Sequence, residues 1–411
     1  MIRRRRAVVV AGPLLLALVP TCAGHLPPCP AAGGPAWTEL ESPHFRLRTD
    51  DDSAAARAAL TDLEQLQAAL LTIFGAPDLD TGRLPVVVVD RGWTDFAPRW
   101  IEGFFTHALF QPLIVMVAGG QLHRQDLIKH ELVHYLSAKI MRRQPRWLSE
   151  GLATYYETIE YDADTGRLTV GRPSPSRLRD AQQNVANIES IFSAPPADHD
   201  VGSFYGAAWI TMHYLMNHRA VALMGYQKAL RAGASPDAAW TAVFGSQTPA
   251  QLAADVRQYL DGGQYAVLTY QFPAPRLPAP VERRLSDADT HSTRAILYLT
   301  GATTRAHAPA SDDHKASAQR EIDEALRQEP GHVRSRAVAH WLLGAPVDLE
   351  QATAATRTNA DDWLAWMLLA DARAANNDGA GQFEALVRAA TIARSDPAIG
   401  IVMRQRRPGS R

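Results

Sequence analysis

Two histidines lie four residues apart in the segment His130-Glu131-Leu132-Val133-His134. On an α-helix this spacing places both imidazoles on one face, about one turn apart, so both can bind a single metal ion. Glu131 follows the first histidine, where a carboxylate can act as general base toward a metal-bound water. The segment therefore predicts a zinc site on a helix. The same five residues also suit a solvent-exposed helix that carries two histidines.

A third candidate ligand lies in the segment WLSEGLATYYE, residues 147–157, which begins a second predicted helix. Glu150 in this segment can turn its carboxylate back toward the two histidines. Two histidines and one glutamate form one of the known catalytic zinc sets. Taken alone, Glu150 is equally a solvated carboxylate near a helix start. Together the two segments predict one Zn²⁺ per chain, bound by His130, His134 and Glu150.

The elements that must position these residues follow from hydrophobic periodicity. Alternating or continuous apolar runs predict strands at residues 44–49, 84–89 and 113–117. Helical spacing predicts helices at residues 54–74, 127–140, 145–160, 203–217, 221–231, 236–244 and 249–260. Residues 162–175, rich in Asp, Gly, Pro and Ser, indicate a loop or a small hairpin. The order predicts an α+β protein in which a small mixed sheet precedes a helical region.

The second half of the chain begins with a proline-rich stretch, Phe272 to Pro280, which predicts a linker over residues 263–284. Residues 285–411 are rich in alanine and almost entirely helical in pattern. Helix pairs there are punctuated by Pro330 and Pro397, and this arrangement resembles tetratricopeptide repeats. A plain helical bundle is the alternative interpretation. Either form could bind a protein partner.

The first residues resemble a targeting segment. Arg3 to Arg6 precede an apolar stretch that ends at Val19, shorter than the roughly 20 residues needed to span a bilayer. We therefore expect a signal peptide at residues 1–23, export to the periplasm or cell envelope, and a flexible lead-in at residues 24–35. An uncleaved anchor is the alternative.

Only two cysteines occur, Cys22 and Cys29. Lipidation of Cys22, a Cys22–Cys29 disulfide and loss of Cys22 by cleavage all stay open, and a lipid at Cys22 is the other route to a membrane. The rest of the chain has no cysteine, which excludes thiol catalysis and cysteine-bound zinc there. The net charge of -1 gives no indication of a nucleic-acid partner.

The two candidate site segments, HELVH and WLSEGLATYYE, together resemble the gluzincin group of metallopeptidases, and specifically the peptidase MA-like family. WLSEG alone is also similar to the aminopeptidase branch of that group. The resemblance covers residues 36–262 and loosely includes His44-Phe45-Arg46-Leu47 and the helix at residues 252–260. It implies a zincin-type domain, a peptide or protein substrate and hydrolysis of peptide bonds.

The same resemblance implies a tyrosine near the start of a later helix, which donates a hydrogen bond to the tetrahedral intermediate. The matching residue is Tyr205, although an aromatic packed at a helix start is the simpler interpretation. The Gly-x-Met-Glu-Asn segment of the aminopeptidases is missing, which favours an endopeptidase or action on an unusual amide. The strand at residues 113–117 could still pair with an extended peptide, if it lies at the edge of the sheet. His213 and His218 are expected at the surface.

Two functions follow as hypotheses. The first is an exported zinc metallopeptidase whose C-terminal helices hold a substrate or partner. The alternative is an envelope scaffold in which the helical half binds partners and the peptidase-like part is structural or inactive. The complete set of ligands and base favours the first.

Overall fold

Nine strands and fourteen α-helices, besides short 3-10 turns, occur in the residues that this computed structural model describes, namely 26–99, 103–118, 126–192, 201–273, 275–301 and 310–393. The predicted signal peptide and Cys22 lie outside these residues. The strands are β1 (Thr38–Glu41), β2 (Phe45–Thr49), β3 (Leu84–Val89), β4 (Gly103–Ala108), β5 (Gln111–Val117), β6 (Glu160–Asp162), β7 (Arg167–Val170), β8 (Leu268–Gln271) and β9 (Val281–Arg284). The predicted α+β class is confirmed.

The helices begin and end close to the predicted bounds in the first half of the chain. They are α1 (Ser53–Ile73), α2 (Asp126–Ile140), α3 (Arg146–Tyr156), α4 (Pro175–Gln183), α5 (Val201–His218), α6 (Ala220–Arg231), α7 (Pro236–Phe244), α8 (Pro249–Gly262), α9 (Asp287–Thr300), α10 (Asp312–Gln328), α11 (Val333–Trp341), α12 (Leu349–Thr358), α13 (Trp363–Ala375) and α14 (Gly379–Ile392). The helix predicted for residues 145–160 ends at Tyr156, and β6 follows it. Helix α4 had no counterpart in the sequence prediction.

Six strands form one mixed sheet in the order β4-β5-β3-β2-β1-β9. Strands β2, β3 and β5 are parallel, whereas β4 and β1 pair antiparallel with their neighbours. Helix α1 makes the crossover between the parallel strands β2 and β3, as a parallel pair requires. The hairpin predicted near residues 162–175 is β6 and β7, which β8 extends to a three-stranded antiparallel sheet.

Both faces of the six-stranded sheet are buried. Val86 and Val88 of β3 belong to the core that contains α1, α2, α3 and α5, whereas Val87 and Val89 belong to a second core. The second core contains helices α9 to α14, so the C-terminal helices cover the other face of the sheet. This two-sided burial explains why β3 is apolar at successive positions instead of alternating.

The segment predicted to be a linker over residues 263–284 contains two strands instead. Strand β8 pairs with β7, and β9 pairs antiparallel with β1 at the edge of the large sheet. The proline-rich pattern correctly describes only the stretch between these strands. The helices beyond it are not connected to the first half by a flexible linker alone, because β9 and the second core join them to the sheet.

The flexible lead-in predicted for residues 24–35 is wrong for the part that the structure describes. Leu26 and Cys29 are buried, and the backbone N–H of Leu26 donates to Asp95. The Cys29 thiol lies 3.3 Å from an Arg294 nitrogen and 3.4 Å from His291 Nδ1, both on α9. Proline and glycine indicated flexibility, but burying two apolar side chains against α9 orders the segment.

No helix within the described ranges combines the length and the apolar character needed to cross a membrane.

Candidate metal centre

Three potential ligand atoms converge between α2 and α3. His130 Nε2 and His134 Nε2 are 3.1 Å apart, and Glu150 Oε2 lies 3.5 Å from the first and 3.2 Å from the second. The two histidines are one turn apart on α2, and Glu150 lies in the second turn of α3. The structure therefore brings together the three residues that were predicted as ligands.

The triangle has the size that a zinc ion requires. Zinc–nitrogen and zinc–oxygen bonds of about 2.0–2.1 Å in a tetrahedron place two ligand atoms about 3.3–3.4 Å apart. The three observed separations of 3.1, 3.2 and 3.5 Å bracket that value. Three protein ligands leave a fourth tetrahedral position for water or substrate, as in catalytic sites. The donor set thus fits zinc without movement of either helix.

The outer nitrogen of each histidine has its own partner, so that each Nε2 atom faces the shared point. His130 Nδ1 lies 3.1 Å from Glu157 Oε2, and His134 Nδ1 lies 2.9 Å from Ser149 Oγ. Arg177 at the start of α4 donates from Nε and Nη2 to both Glu157 oxygens, at 2.9 and 3.0 Å. Partners of this kind fix the ring orientation and strengthen a histidine as a metal ligand.

Electrostatics at the centre favours a positive charge. Burial alone would raise the pKa of Glu150, but hydrogen bonds with His130 and His134 lower it to about 2. Burial likewise would lower the pKa of His130, but hydrogen bonds with Glu150 and Glu157 raise it to about 9. The carboxylates that favour a proton on His130 favour any cation at the same place.

Glu131 lies beside the three ligand candidates. Burial raises the pKa of its carboxyl, while the adjacent His130 and His134 lower it and Glu150 raises it further. Within the described part of the chain no hydrogen bond holds this carboxylate, in contrast to Glu150 and Glu157. A partly buried carboxylate without a partner is costly in a structural role and available for proton transfer.

Tyr205 borders the centre from the first turns of α5. Its ring centroid lies 6.0 Å from that of His130, and the Arg177 guanidinium lies 5.2 Å from the Tyr205 centroid. Burial raises the pKa of Tyr205, and the negative charge of Glu150 raises it further. The phenol therefore stays protonated at neutral pH and can donate a hydrogen bond.

Two glycines let the helices around the centre approach closely. A Cβ atom on Gly151 of α3 would lie 3.1 Å from the carbonyl oxygen of Ala208 on α5. A Cβ atom on Gly206 would lie 2.5 Å from the Ala181 nitrogen and 2.7 Å from the carbonyl carbon of Asp180, both on α4. Helix α5 is thereby held against the helices that carry Glu150 and Arg177.

The structure corrects two predictions near the site. Strand β5 lies between β4 and β3 and is hydrogen-bonded on both sides, so the strand at residues 113–117 cannot pair with a peptide. The edge of the sheet next to it is β4. His213 is fully buried and not at the surface. Both ring nitrogens have partners that compensate for the loss of water: Nε2 lies 2.9 Å from the carbonyl oxygen of Gly171, and Nδ1 lies 2.8 Å from Tyr259 Oη. His218 is exposed, as expected.

Sequence reasoning missed the residues that hold the histidines. Glu157 follows Glu150 by seven residues, or two helical turns, so a one-face pattern on α3 was an available signal. Arg177 and Ser149 had no comparable signal, because only the folded arrangement brings Arg177 of α4 to Glu157 and Ser149 of α3 to His134 of α2.

The chain matches no protein-family model, and it matches no curated protein.

Proposed function

We propose that this chain is an exported zinc-dependent metallopeptidase of the zincin type, with His130, His134 and Glu150 as zinc ligands. The observation that carries the proposal is the triangle of ligand atoms, whose sides of 3.1–3.5 Å suit tetrahedral zinc. Glu131, whose carboxylate makes no hydrogen bond to the residues that the structure describes, and the protonated Tyr205 add the groups that hydrolysis of an amide needs.

The chemistry that zinc supplies when bound is polarisation of the scissile carbonyl and a lowered pKa of a coordinated water. Glu131 accepts the proton of the attacking water and returns it to the leaving amine. Tyr205 donates its hydroxyl hydrogen toward the oxygen that gains negative charge. Glu157 and Ser149 hold the two imidazoles by their outer nitrogens, and Arg177 holds Glu157.

In this proposal an extended peptide pairs with β4, the edge strand, and not with β5. Strand β4 is the edge strand on the side of the site helix, and a Cβ atom on Gly103 of β4 would lie 3.1 Å from Ile128 Cδ1 of α2. A peptide added to this edge would run beside the metal centre, with main-chain hydrogen bonds that need no particular side chain. This favours an endopeptidase over an enzyme that binds a free amine.

Glu131→Gln tests the proposal directly. The substitution preserves size but removes the base, so turnover of an unstructured protein substrate such as casein should fall about 10²–10⁴-fold. Elemental analysis should find about one zinc per chain in both proteins, because Glu131 is not a ligand. The control is Glu160→Gln, which replaces an exposed carboxylate on β6 paired with Arg172. This change should leave turnover and zinc content unchanged.

The scaffold alternative predicts a different result. A structural zinc site would hold its metal while neither the native chain nor either variant cleaved any peptide. Zinc-free protein that tolerates loss of both His130 and His134 without change in stability would contradict both functions of the site.

A further inference from the structure

A small pocket lies on the face of the large sheet opposite the metal centre, where α9, α11 and α13 cover it. Its interior volume of about 30 Å³ has room for two or three waters at about 10–15 Å³ each, or for one carboxylate or phosphate group. Three arginines line it, Arg46 and Arg48 from β2 and Arg334 from α11. The sheet and the C-terminal helices thus both contribute cations to one small space.

The carboxylates near this pocket are already engaged by other arginines. Glu39 accepts from Arg48 and Arg283, each at 2.7 Å. Glu41 in the same way accepts from Arg46 at 2.7 Å and from Arg83 at 3.1 Å.

Asp289 is the remaining acidic group near the pocket. It accepts from Arg283 at 2.9 Å and lies 3.4 Å from a nitrogen of His332 and 3.8 Å from one of Arg48. Each nearby carboxylate is therefore shared between at least two cationic side chains.

Arg334 has no such partner. In the part of the chain that the structure describes, no carboxylate lies within 4.0 Å of its guanidinium, and it makes no hydrogen bond there. Burial lowers the pKa of Arg334, and the positive charges of Arg48 and Arg46 lower it further. An arginine nevertheless stays charged at neutral pH, so the repulsion is not relieved by loss of a proton.

We propose that this pocket binds a single anionic group, a carboxylate or a phosphate, between Arg334 and the arginine pair Arg46 and Arg48. The guanidinium of Arg334 offers five donors in a fixed fork that matches both anions. Thr293 also lines the pocket and orients Arg48: its hydroxyl accepts from Arg48 Nη1 at 2.9 Å and donates to the carbonyl oxygen of Asp289 at 2.9 Å. Arg48 is 93% buried in its side chain (7% exposed), so the anion would meet a desolvated charge.

This inference is independent of the proposed peptidase. Val87 and Leu113, which line the pocket, belong to the second core, whereas the site helix α2 packs in the first. The bound anion would join β2 to α11 and so strengthen the contact between the sheet and the C-terminal helices. Its expected effect is on stability and not on turnover.

Calorimetric titration of the full chain with inorganic phosphate, and separately with acetate, at ionic strength fixed by sodium chloride tests the proposal. Arg334→Met keeps the apolar stem but removes the fork, and should weaken binding about 10- to 100-fold. The matched control is Arg357→Met, an exposed arginine on α12, which should bind as the native chain does. Binding of phosphate at the metal centre would be common to all three proteins.

Stronger binding of acetate would identify a carboxylate as the natural group, and stronger binding of phosphate would identify a phosphate. The proposal is overturned if neither anion binds the native chain more tightly than chloride, or if Arg334→Met binds as well as Arg357→Met. Thermal unfolding without added anion checks the fold: Arg334→Met should unfold at the same or a higher temperature, since it removes a repulsion.

Discussion

Glu157 is the residue on which the proposed centre depends most without touching the metal position. It holds His130 Nδ1 at 3.1 Å and is itself held by two bonds from Arg177. Burial opposes the charge on Glu157, but its hydrogen bonds with His130 and Arg177 lower its pKa below the usual value. It is therefore a carboxylate whenever His130 is available as a ligand.

Glu157→Gln should weaken zinc affinity about 10- to 100-fold, because the charge that orients His130 and makes it more basic is lost. Competition with a fluorescent chelator measures the affinity. Glu160→Gln, three residues further along, is the control and should bind zinc like the native chain. Equal affinities in the two variants would show that Glu157 acts only in folding.

Tyr205 can be tested by removing one atom. Tyr205→Phe should lower kcat about 10²–10³-fold with KM and zinc content nearly unchanged, because the hydroxyl acts only on the transition state. The control is Tyr214→Phe on the same helix, whose hydroxyl lies 3.5 Å from Asp255 on α8. A change confined to thermal stability would reduce Tyr205 to a packing residue.

At the scale of elements, the centre is an arrangement of α2, α3, α4 and α5 around one point. Helices α2 and α3 carry the three proposed ligands, α4 carries Arg177, and α5 carries Tyr205. Gly206 allows α5 to pack directly against the backbone of α4, because glycine has no side chain at the contact. The position of Tyr205 is thus linked to that of Arg177 by backbone contact.

Gly206→Ala should force α5 away from α4, because the new Cβ would lie 2.5 Å from the Ala181 nitrogen. We expect a loss of about 1–3 kcal/mol in the free energy of unfolding, together with reduced turnover, measured by urea unfolding and activity assays. Gly202→Ala is the control. Its Cβ would meet only Asp180 Oδ2 at 3.9 Å, so a helix-stabilising gain of up to about 1 kcal/mol is expected. Similar effects of the two changes would show that close packing at Gly206 is not needed.

At the scale of the whole molecule, the six-stranded sheet separates the two hydrophobic cores and contributes side chains to both. Alternate residues of β3 and β5 face opposite cores, with Ile114 and Met116 in the first and Leu113 and Val115 in the second. Further contacts join the first described residues to the start of the C-terminal half, through β1 with β9 and through Ala31 with Asp287. The sheet therefore needs the C-terminal helices to bury its second face.

A fragment that ends at Ser286 should be insoluble or lack cooperative unfolding, because it exposes one whole face of the sheet. Circular dichroism and sedimentation measure this. Coexpression of residues 26–286 and 287–393 as separate chains should restore a soluble complex, since the apolar face is then covered. A soluble fragment with a sharp unfolding transition would show instead that the helical half is a separate domain.

Periodicity and spacing predicted many of the local features of this protein, although α4, β1 and β4 were not among them. Residues 54–74 and 127–140 were predicted as helices because apolar side chains recur at helical intervals, and β3 was predicted as buried from its continuous apolar run. The proposed ligand set came from the four-residue spacing of two histidines and one nearby glutamate, and the structure brings these three residues together. Each of these signals is carried by neighbours in the sequence.

Contacts between distant segments were decided only by the tertiary structure. The lead-in contains prolines and glycines, yet Cys29 contacts His291 of α9, which lies 262 residues later in the chain. Other contacts of this kind join β9 to β1 and place Arg334 beside β2, and Arg177 reaches Glu157 from the next helix. Side-chain periodicity reports which face of an element is buried but not which distant element covers it. HELVH and WLSEG thus indicated from sequence which atoms could bind a metal, while the packing of α3 against α2 determined that Glu150 faces the same point as the two histidines.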